Sequence, residues 1–506
     1  MITFFIGLSI LVLGYLIYGR IIEKLFGPDP NRKTPAIKNN SAYEDKQALS
    51  HKKCMLLQLL HIAGIGPVVG VILGAKFGPV VFLIIPIGNI FAGAVHDYFS
   101  GMISMRNGAK SYLETSKKFL SRKFAFLSTI FMIVALFALS TSFTNVSTTL
   151  LNTSLKANGL INPDNLSYSF VFFVCVIFLY YTLSTFFPIN SFVSKMSNIF
   201  GAILIIATVS VLFFVLGYIK LLPELDIENL WNNFTQHPQG QPILPMLFVT
   251  IACGIISGFH GSQNPITAGI ESNEKNGRQT FFGMMVVEGF LAMIWAAVGI
   301  IGYKLHPNLL SVSNGPVIIS EIVRGIVSFE ILSELILFSV VILAVTTADA
   351  ALRTLRLLIS DIFRFQQRSS EDRFLLNLPI LGVCAIMVFW SNITDGFLVL
   401  WNYFSLTNQM IAVMCLAVSL CYMRAKKKPV IFILGPLAFL SYVVFLYLFW
   451  ISPEHIVSAP EGFGLSYPVS CAISLICTFF VCRYCLRHGK HLSKLAEENK
   501  FEADSD

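Results

Sequence analysis

Thirteen mostly apolar runs of about 18 to 28 residues recur along the chain, at 2–19, 54–76, 79–103, 124–151, 169–187, 197–221, 243–268, 279–304, 330–358, 374–391, 396–423, 429–450 and 467–487. Each is long enough to cross a hydrocarbon layer about 30 Å thick at 1.5 Å per helical residue. Lipid satisfies no open backbone group, so each run is expected to be a helix. Only 13% of residues are charged, against about 25% in soluble domains. The expected fold class is an all-α polytopic membrane protein of about 13 transmembrane helices.

The loops between these runs alternate in basic charge. Loops 20–53, 104–123, 188–196, 269–280, 359–373 and 424–428, with the tail 488–506, hold 27 Lys and Arg residues. The alternate loops (77–78, 152–168, 222–242, 305–329, 391–395 and 451–466) hold only Lys156 and Arg324. The positive-inside rule then places the N-terminus outside and the C-terminus in the cytoplasm of a bacterial inner membrane. The net charge of +8 thus belongs to orientation, and no nucleic-acid partner is expected. No loop has room for a soluble catalytic or nucleotide-binding domain. The N-terminal run lacks a basic leader and a cleavage site, so it reads as a retained helix. The stretch 316–327 reads as a short amphipathic surface helix, and HLSKLAEENKFEADSD as a frayed polar tail. Cys482 and Cys485 form a lone C-x-x-C, read as helix surface and not as a metal or redox site.

Two runs are interrupted. In 54–76, Gly64, Gly66 and Pro67 fall mid-span; proline removes a donor and glycine eases unwinding. In 243–268, Gly254, Gly258, Gly261 and Pro265 interrupt the run among Ser257, His260, Ser262, Gln263 and Asn264. These are segments two and seven, so they cross in opposite directions, as in a five-plus-five inverted repeat. Gly66, Gly70, Gly74 and Gly78 recur every four residues and form a flat stripe for close helix approach. The same stretch, Gly64-Ile-Gly66-Pro-Val-Val-Gly70, approaches G-x-G-x-x-G with one residue too many, and it lacks the strand that a dinucleotide site requires.

Ionisable residues at membrane depth are costly and mark function. They are His61, His96 and Asp97, His260, Glu288, and Asp349 with Arg353. Asp349 and Arg353 share a helix face and can pair. Thr346 and Thr347 precede them by one turn, a hydroxyl and carboxylate set suited to Na⁺. His260 or a carboxylate could instead carry a proton. His96 and Asp97, near the inner end of their span, read as structural or gating. Glu288 reads equally as relay or as hydrogen-bond anchor. Asn402, Tyr403, Asn408 and Gln409 add a polar stripe to the eleventh span. H-E-x-x-H, paired aspartates and G-x-S-x-G are absent, so no catalytic site, metal site or cofactor is read.

The motifs LLHIAGIGPVVGVILGAKFGPV, FAGAVHDYFSGMIS, SGFHGSQNP, ADAALRTLRLLISD and LWNYFSLTNQMIA, in that order, resemble the carbon starvation protein A (CstA) family in its short form. The resemblance implies a transporter of the amino acid–polyamine–cation superfamily with a LeuT-like repeat. It implies import of small peptides or pyruvate during nutrient limitation, coupled to H⁺ or Na⁺; a starvation sensor without concentrative transport is the alternative. On that pattern, 1–53 is a leading helix and loop, 54–221 and 222–428 are the two repeats, 429–487 are two appended helices, and 488–506 is a cytoplasmic tail. Gln58, His61, Gly64, Gly66, Ser257, Gly258, His260, Gln263, Asn264, Tyr403 and Asn408 would bind substrate. Thr346, Thr347, Asp349 and Glu288 would couple the ion, with Pro67, His96, Asp97 and Arg353 gating or structural. Departures from the family pattern at His61, Gly261–Ser262, Ala348, Ala350 and Asn402 leave peptide against pyruvate, and H⁺ against Na⁺, open. The oligomeric state is not legible.

Overall fold

The computed structural model describes residues 1–38, 48–160, 166–186, 194–226, 237–363, 365, 369–393, 397–452, 454 and 462–504. Parts of the loops 20–53, 152–168, 188–196, 222–242, 359–373, 391–395 and 451–466 lie outside the described residues. Among those described, every element is helical. In chain order they begin with α1 (Ile2–Phe26), α2 (His51–Ile62), α3 (Gly66–Phe77) and α4 (Val81–Arg106). Next come α5 (Tyr112–Phe119), α6 (Arg122–Ala157), α7 (Leu166–Phe186), α8 (Ser194–Gly217) and α9 (Gly258–Ala268). Then follow α10 (Met284–Leu305), α11 (Gly315–Ile326), α12 (Glu330–Phe363) and α13 (Ser370–Ile393). The last three are α14 (Phe397–Ala425), α15 (Ile431–Trp450) and α16 (Tyr467–Glu497).

Among the described residues, eleven helices are long and apolar enough to cross a membrane, or twelve if the bent pair α2–α3 is one span. They correspond to the sequence segments other than 54–76 and 243–268. The count of thirteen is therefore not reached by continuous helices. Segment 54–76 bends by 54° between α2 and α3. Pro67, which has no N–H, stands in the first turn of α3, where the missing donor breaks no helical bond. Segment 243–268 is divided further, into Ile243–Leu247, Phe248–Thr250, Ala252–Ile255 and α9. Extended backbone at Ile256 and Ser257 separates the last two pieces.

The glycine stripe works as its spacing implies. A Cβ on Gly66 would stand 2.2 Å from Cys253 Cβ, and one on Gly70 would stand 2.6 Å from the Thr250 carbonyl oxygen. The two broken segments therefore cross with backbones almost touching. Around them, α10 is nearly all buried, whereas α7, α8 and α16 turn most of their apolar surface outward, as lipid-facing helices do. Residues 315–326 form the short amphipathic helix that the sequence implies.

Two expectations need correction. Cys485 is buried against Cys421, whose thiol donates to the Cys485 carbonyl at 3.6 Å, so it is not surface. The C-terminal stretch is docked and not frayed. The helix α16 continues to Glu497, and Phe501 packs edge-on to Phe119 at 5.8 Å. Asp504 accepts from Tyr422 Oη at 2.8 Å, Lys426 Nζ at 2.9 Å and Arg32 Nη1 at 3.0 Å. Burial by itself would raise the Asp504 carboxyl, but these three donors hold it below the usual carboxylate range. Its contribution is complete above the unfolded value of about 3.9 and is lost only as pH falls through the lower folded value. Asp504→Asn at neutral pH is expected to speed amide exchange in residues 498–504 about tenfold, the effect of removing ~1.4 kcal/mol of charged hydrogen bonding. Unchanged exchange would show that Phe501 alone holds the tail.

Candidate functional site

Four ionisable side chains meet where α9 begins. Asp97 and His96 come from the middle of α4, His260 from the first turn of α9, and Glu288 from the first turns of α10. All four are at most 1% exposed. Asp97 Oδ1 lies 2.8 Å from His96 Nδ1, and Oδ2 lies 2.9 Å from His260 Nδ1. An ionised carboxylate only accepts, so both Nδ1 atoms then carry hydrogen. The other face of the His260 ring presents Nε2 to Glu288 Oε2 at 3.6 Å. Both Glu288 oxygens and His96 Nε2 have no hydrogen-bond partner among the described residues. The result is a continuous row, His96–Asp97–His260–Glu288, inside the apolar bundle.

Local sequence explains why α9 can enter here. A Cβ on Gly258 would stand 2.2 Å from the Asn408 carbonyl oxygen, so only glycine lets α9 start against α14. The Asn408 side chain caps that start. Its Oδ1 accepts from the Phe259 amide at 2.8 Å and from Ser257 Oγ at 3.1 Å. Gln58 clips the two broken segments together. It donates from Nε2 to Asn264 Oδ1 at 2.7 Å and accepts from Thr267 Oγ1 at 2.6 Å. Asn264 Nδ2 in turn donates to Ser100 Oγ at 2.5 Å. Gln263 donates to Thr354 Oγ1 at 2.7 Å, leaving its Oε1 without a partner among the described residues.

A second cluster lies on α12. Asp349 Oδ2 accepts from Ser184 Oγ at 2.8 Å and from Arg353 Nη2 at 3.4 Å. Arg353 Nη2 also donates to Ser184 Oγ at 3.0 Å. Thr346 donates back to the Ile342 carbonyl of its own helix, whereas Thr347 reaches the Leu60 carbonyl at 3.5 Å. A Cβ on Gly64 would be 3.0 Å from Thr347 Oγ1, so the α2–α3 break lies against α12. His61 is buried just before that break, and its Nδ1 has no partner among the described residues.

The candidate residues thus divide. Gln58, Ser257, Gly258, His260, Gln263, Asn264 and Asn408 surround the start of α9, and Gly64, Gly66 and Pro67 form the neighbouring break. Thr346, Thr347, Asp349 and Arg353 form the cluster on α12, with Thr347 against the break at Gly64, and Glu288 is joined to the histidines instead. Tyr403 is 43% exposed, unlike the buried side chains of both clusters. Sequence reasoning treated His96 and Asp97 as interfacial and missed their meeting with His260. The available signal was energetic: four isolated ionisable groups at membrane depth are too costly unless they find one another.

The profile described as Carbon starvation protein CstA matches residues 1–161, 156–321 and 309–446. The chain belongs to the CstA family. Among CstA-related proteins, a peptide transporter CstA of Bacillus subtilis is 24% identical over 91% of this chain and 92% of its own length. The pyruvate/proton symporter BtsT of Escherichia coli is 26% identical over 61% of this chain, which spans about half, 50%, of that protein. An uncharacterized membrane protein of Haemophilus influenzae is 36% identical over 61% of this chain and 93% of its own length. A crystal structure of a mutant manganese transporter from Eremococcus coleocola aligns over 90% of this chain and 98% of its own, with a TM-score of 0.56 at 14% identity. That likeness is one of fold alone. CstA membership and the apolar helices make this a multi-pass membrane protein.

Proposed function

We propose that this CstA-family protein is a proton-coupled secondary transporter that imports a small carboxylate-bearing solute, a short peptide or pyruvate, and is not an enzyme. The carrying observation is the buried row His96–Asp97–His260–Glu288. Two carboxylates and two imidazoles have no net charge only when they share two added protons. A buried net charge is costly, so gain or loss of a proton here changes the energy of whatever conformation encloses it. That is the requirement for coupling. The Asp349 set serves Na⁺ less well, because the Asp349 carboxylate already holds Ser184 and the Arg353 cation. Relatives named a pyruvate/proton symporter and peptide transporters fit this reading.

The solute would sit between the two broken segments. The first turn of α9 supplies the positive end of a helix dipole to its carboxylate. Repeats 54–221 and 222–428 would rock around that seat, with the basic loops in the cytoplasm and the N-terminus outside. Labelled pyruvate and labelled dialanine, each tested in proteoliposomes with the pH or the Na⁺ gradient collapsed, decide cargo and ion. Uptake of one, lost with the pH gradient and indifferent to Na⁺, is expected; dependence on Na⁺ alone would sink proton coupling.

On this reading Asp349 is a structural partner. Asp349→Asn leaves the Arg353 cation unpaired at about 12% exposure, and breaking a buried pair costs about 3–5 kcal/mol. The single variant is expected to lose folded protein, while Asp349→Asn with Arg353→Gln recovers more than half of wild-type uptake. A well-folded double variant without concentrative uptake would return Asp349 to the coupling machinery.

A further inference from the structure

The buried row ends at a nitrogen with nothing to bond. His96 Nε2 has no partner among the described residues, and a Cβ on Gly261 would stand 3.5 Å from it. Gly261 also lines a cavity of about 30 Å³ between α4, α5, α9 and α14. Hydroxyls of Ser104, Tyr112, Thr115 and Ser116 are in its wall. None of the four makes a hydrogen bond of good geometry among the described residues, although the Tyr112 hydroxyl approaches those of Ser116 and Ser128. An unmade bond of this kind is costly, and buried hydroxyls are almost always satisfied. Four around one space large enough for a water define an ordered-water site.

Position separates this site from an ordinary buried water. One side abuts the α9 turn that carries His260. The opposite side is α5, a single two-turn helix whose outer face carries Glu114 and Lys117, paired at 2.8 Å and with side chains 47% and 36% exposed. The basic loop 104–123 contains α5. The cavity is thus one helix away from the end of the bundle where the basic loops lie. Tyr112 and Cys415 are the ionisable side chains in its wall, and Asp361 stands against α5 at Ser111, Glu114 and Lys117.

We infer that this hydroxyl-lined cavity holds the water through which protons pass between His96 Nε2 and the end bearing the basic loops. The inference rests on the proton-coupled reading above. For release, protonated Asp97 gives its hydrogen to His96 Nδ1 while His96 Nε2–H gives its own to the water. The water, held in place by the Ser104, Thr115 and Ser116 hydroxyls, passes one of its protons outward to the solvent at that end. Asp97 ends ionised, His96 ends neutral in its other tautomer, and one proton has left the row. Ser104, Thr115 and Ser116 are positioning residues for that water.

The test uses the full chain in proteoliposomes with a pH-sensitive dye in the lumen and pyruvate or dialanine outside. Ser116→Leu fills the cavity; Ser116→Ala leaves room for a second water. In Ser116→Leu, substrate-driven proton movement and net uptake are expected to fall at least about tenfold. Substrate-for-substrate exchange, which moves no net proton, is expected to stay within about twofold. Ser116→Ala is expected to keep more than half of both. Wild-type proton movement that persists in a folded Ser116→Leu protein would overturn the conduit alone. Uptake by the wild type without proton movement would overturn the coupling reading on which it rests. Parallel loss of exchange and net uptake in both variants would assign Ser116 a structural role and also overturn the conduit.

Discussion

Glu288→Gln is expected to abolish proton-driven accumulation, by about a hundredfold or more, while substrate exchange continues. The substitution keeps the shape of the side chain and removes only its ability to gain and lose a proton. Glu288 is fully buried, neither oxygen has a hydrogen-bond partner among the described residues, and His260 Nε2 lies 3.6 Å away with Asp97 beyond it. A carboxylate held only to anchor a helix would be hydrogen-bonded, as buried polar groups are. An amide at this position cannot complete the row's change of net charge, so the solute can still cross while the proton gradient no longer drives it. Accumulation by Glu288→Gln at more than half the wild-type level would assign Glu288 to packing.

Gly66→Leu should be nearly as severe for a different reason. A Cβ at this position meets Cys253 Cβ at 2.2 Å and Sγ at 2.5 Å. The obstruction is the root of a side chain, not its flexible end, so the two broken segments must separate. Overpacking of this kind costs about 1–3 kcal/mol. That is too little to prevent insertion of a chain with this many apolar helices, but it falls on the crossing about which transport would turn. The variant is expected to insert and purify as a monodisperse protein, yet to transport at under about 1% of the wild-type rate. Gly66→Ala, which needs less room, should recover part of the activity when combined with Cys253→Gly. Normal transport by Gly66→Leu would show that the close crossing is not needed.

The membrane helices were legible because lipid leaves the chain one option per apolar run. The two breaks were legible because Gly64, Gly66 and Pro67, and Gly258 with its polar neighbours, have no place in a continuous lipid-facing helix. The division of 243–268 into four pieces was not, since hydropathy does not resolve pieces of three to five residues. Nor was the docked tail. Its partners Arg32, Tyr422 and Lys426 are remote in sequence, and a polar C-terminus reads as solvated unless those donors are known to wait for it. The exposure of Tyr403 was not legible either: it shares a helix with buried Asn408, but five residues along a helix turn the side chain by about 140°. The site itself was half visible. Each ionisable residue stood out by its cost, but their meeting joins α4, α9 and α10, and no spacing within one helix encodes that.

The most direct test is substrate-driven proton entry. Purified protein is reconstituted without a membrane potential, a luminal dye reports pH, and pyruvate or dialanine is added outside in Na⁺-free medium. The expected result is prompt luminal acidification with the transported solute, absent in Glu288→Gln although that variant still exchanges substrate. Solute entry by the wild type with no change in luminal pH, or acidification as large in Glu288→Gln as in the wild type, would contradict a coupling role for the buried row.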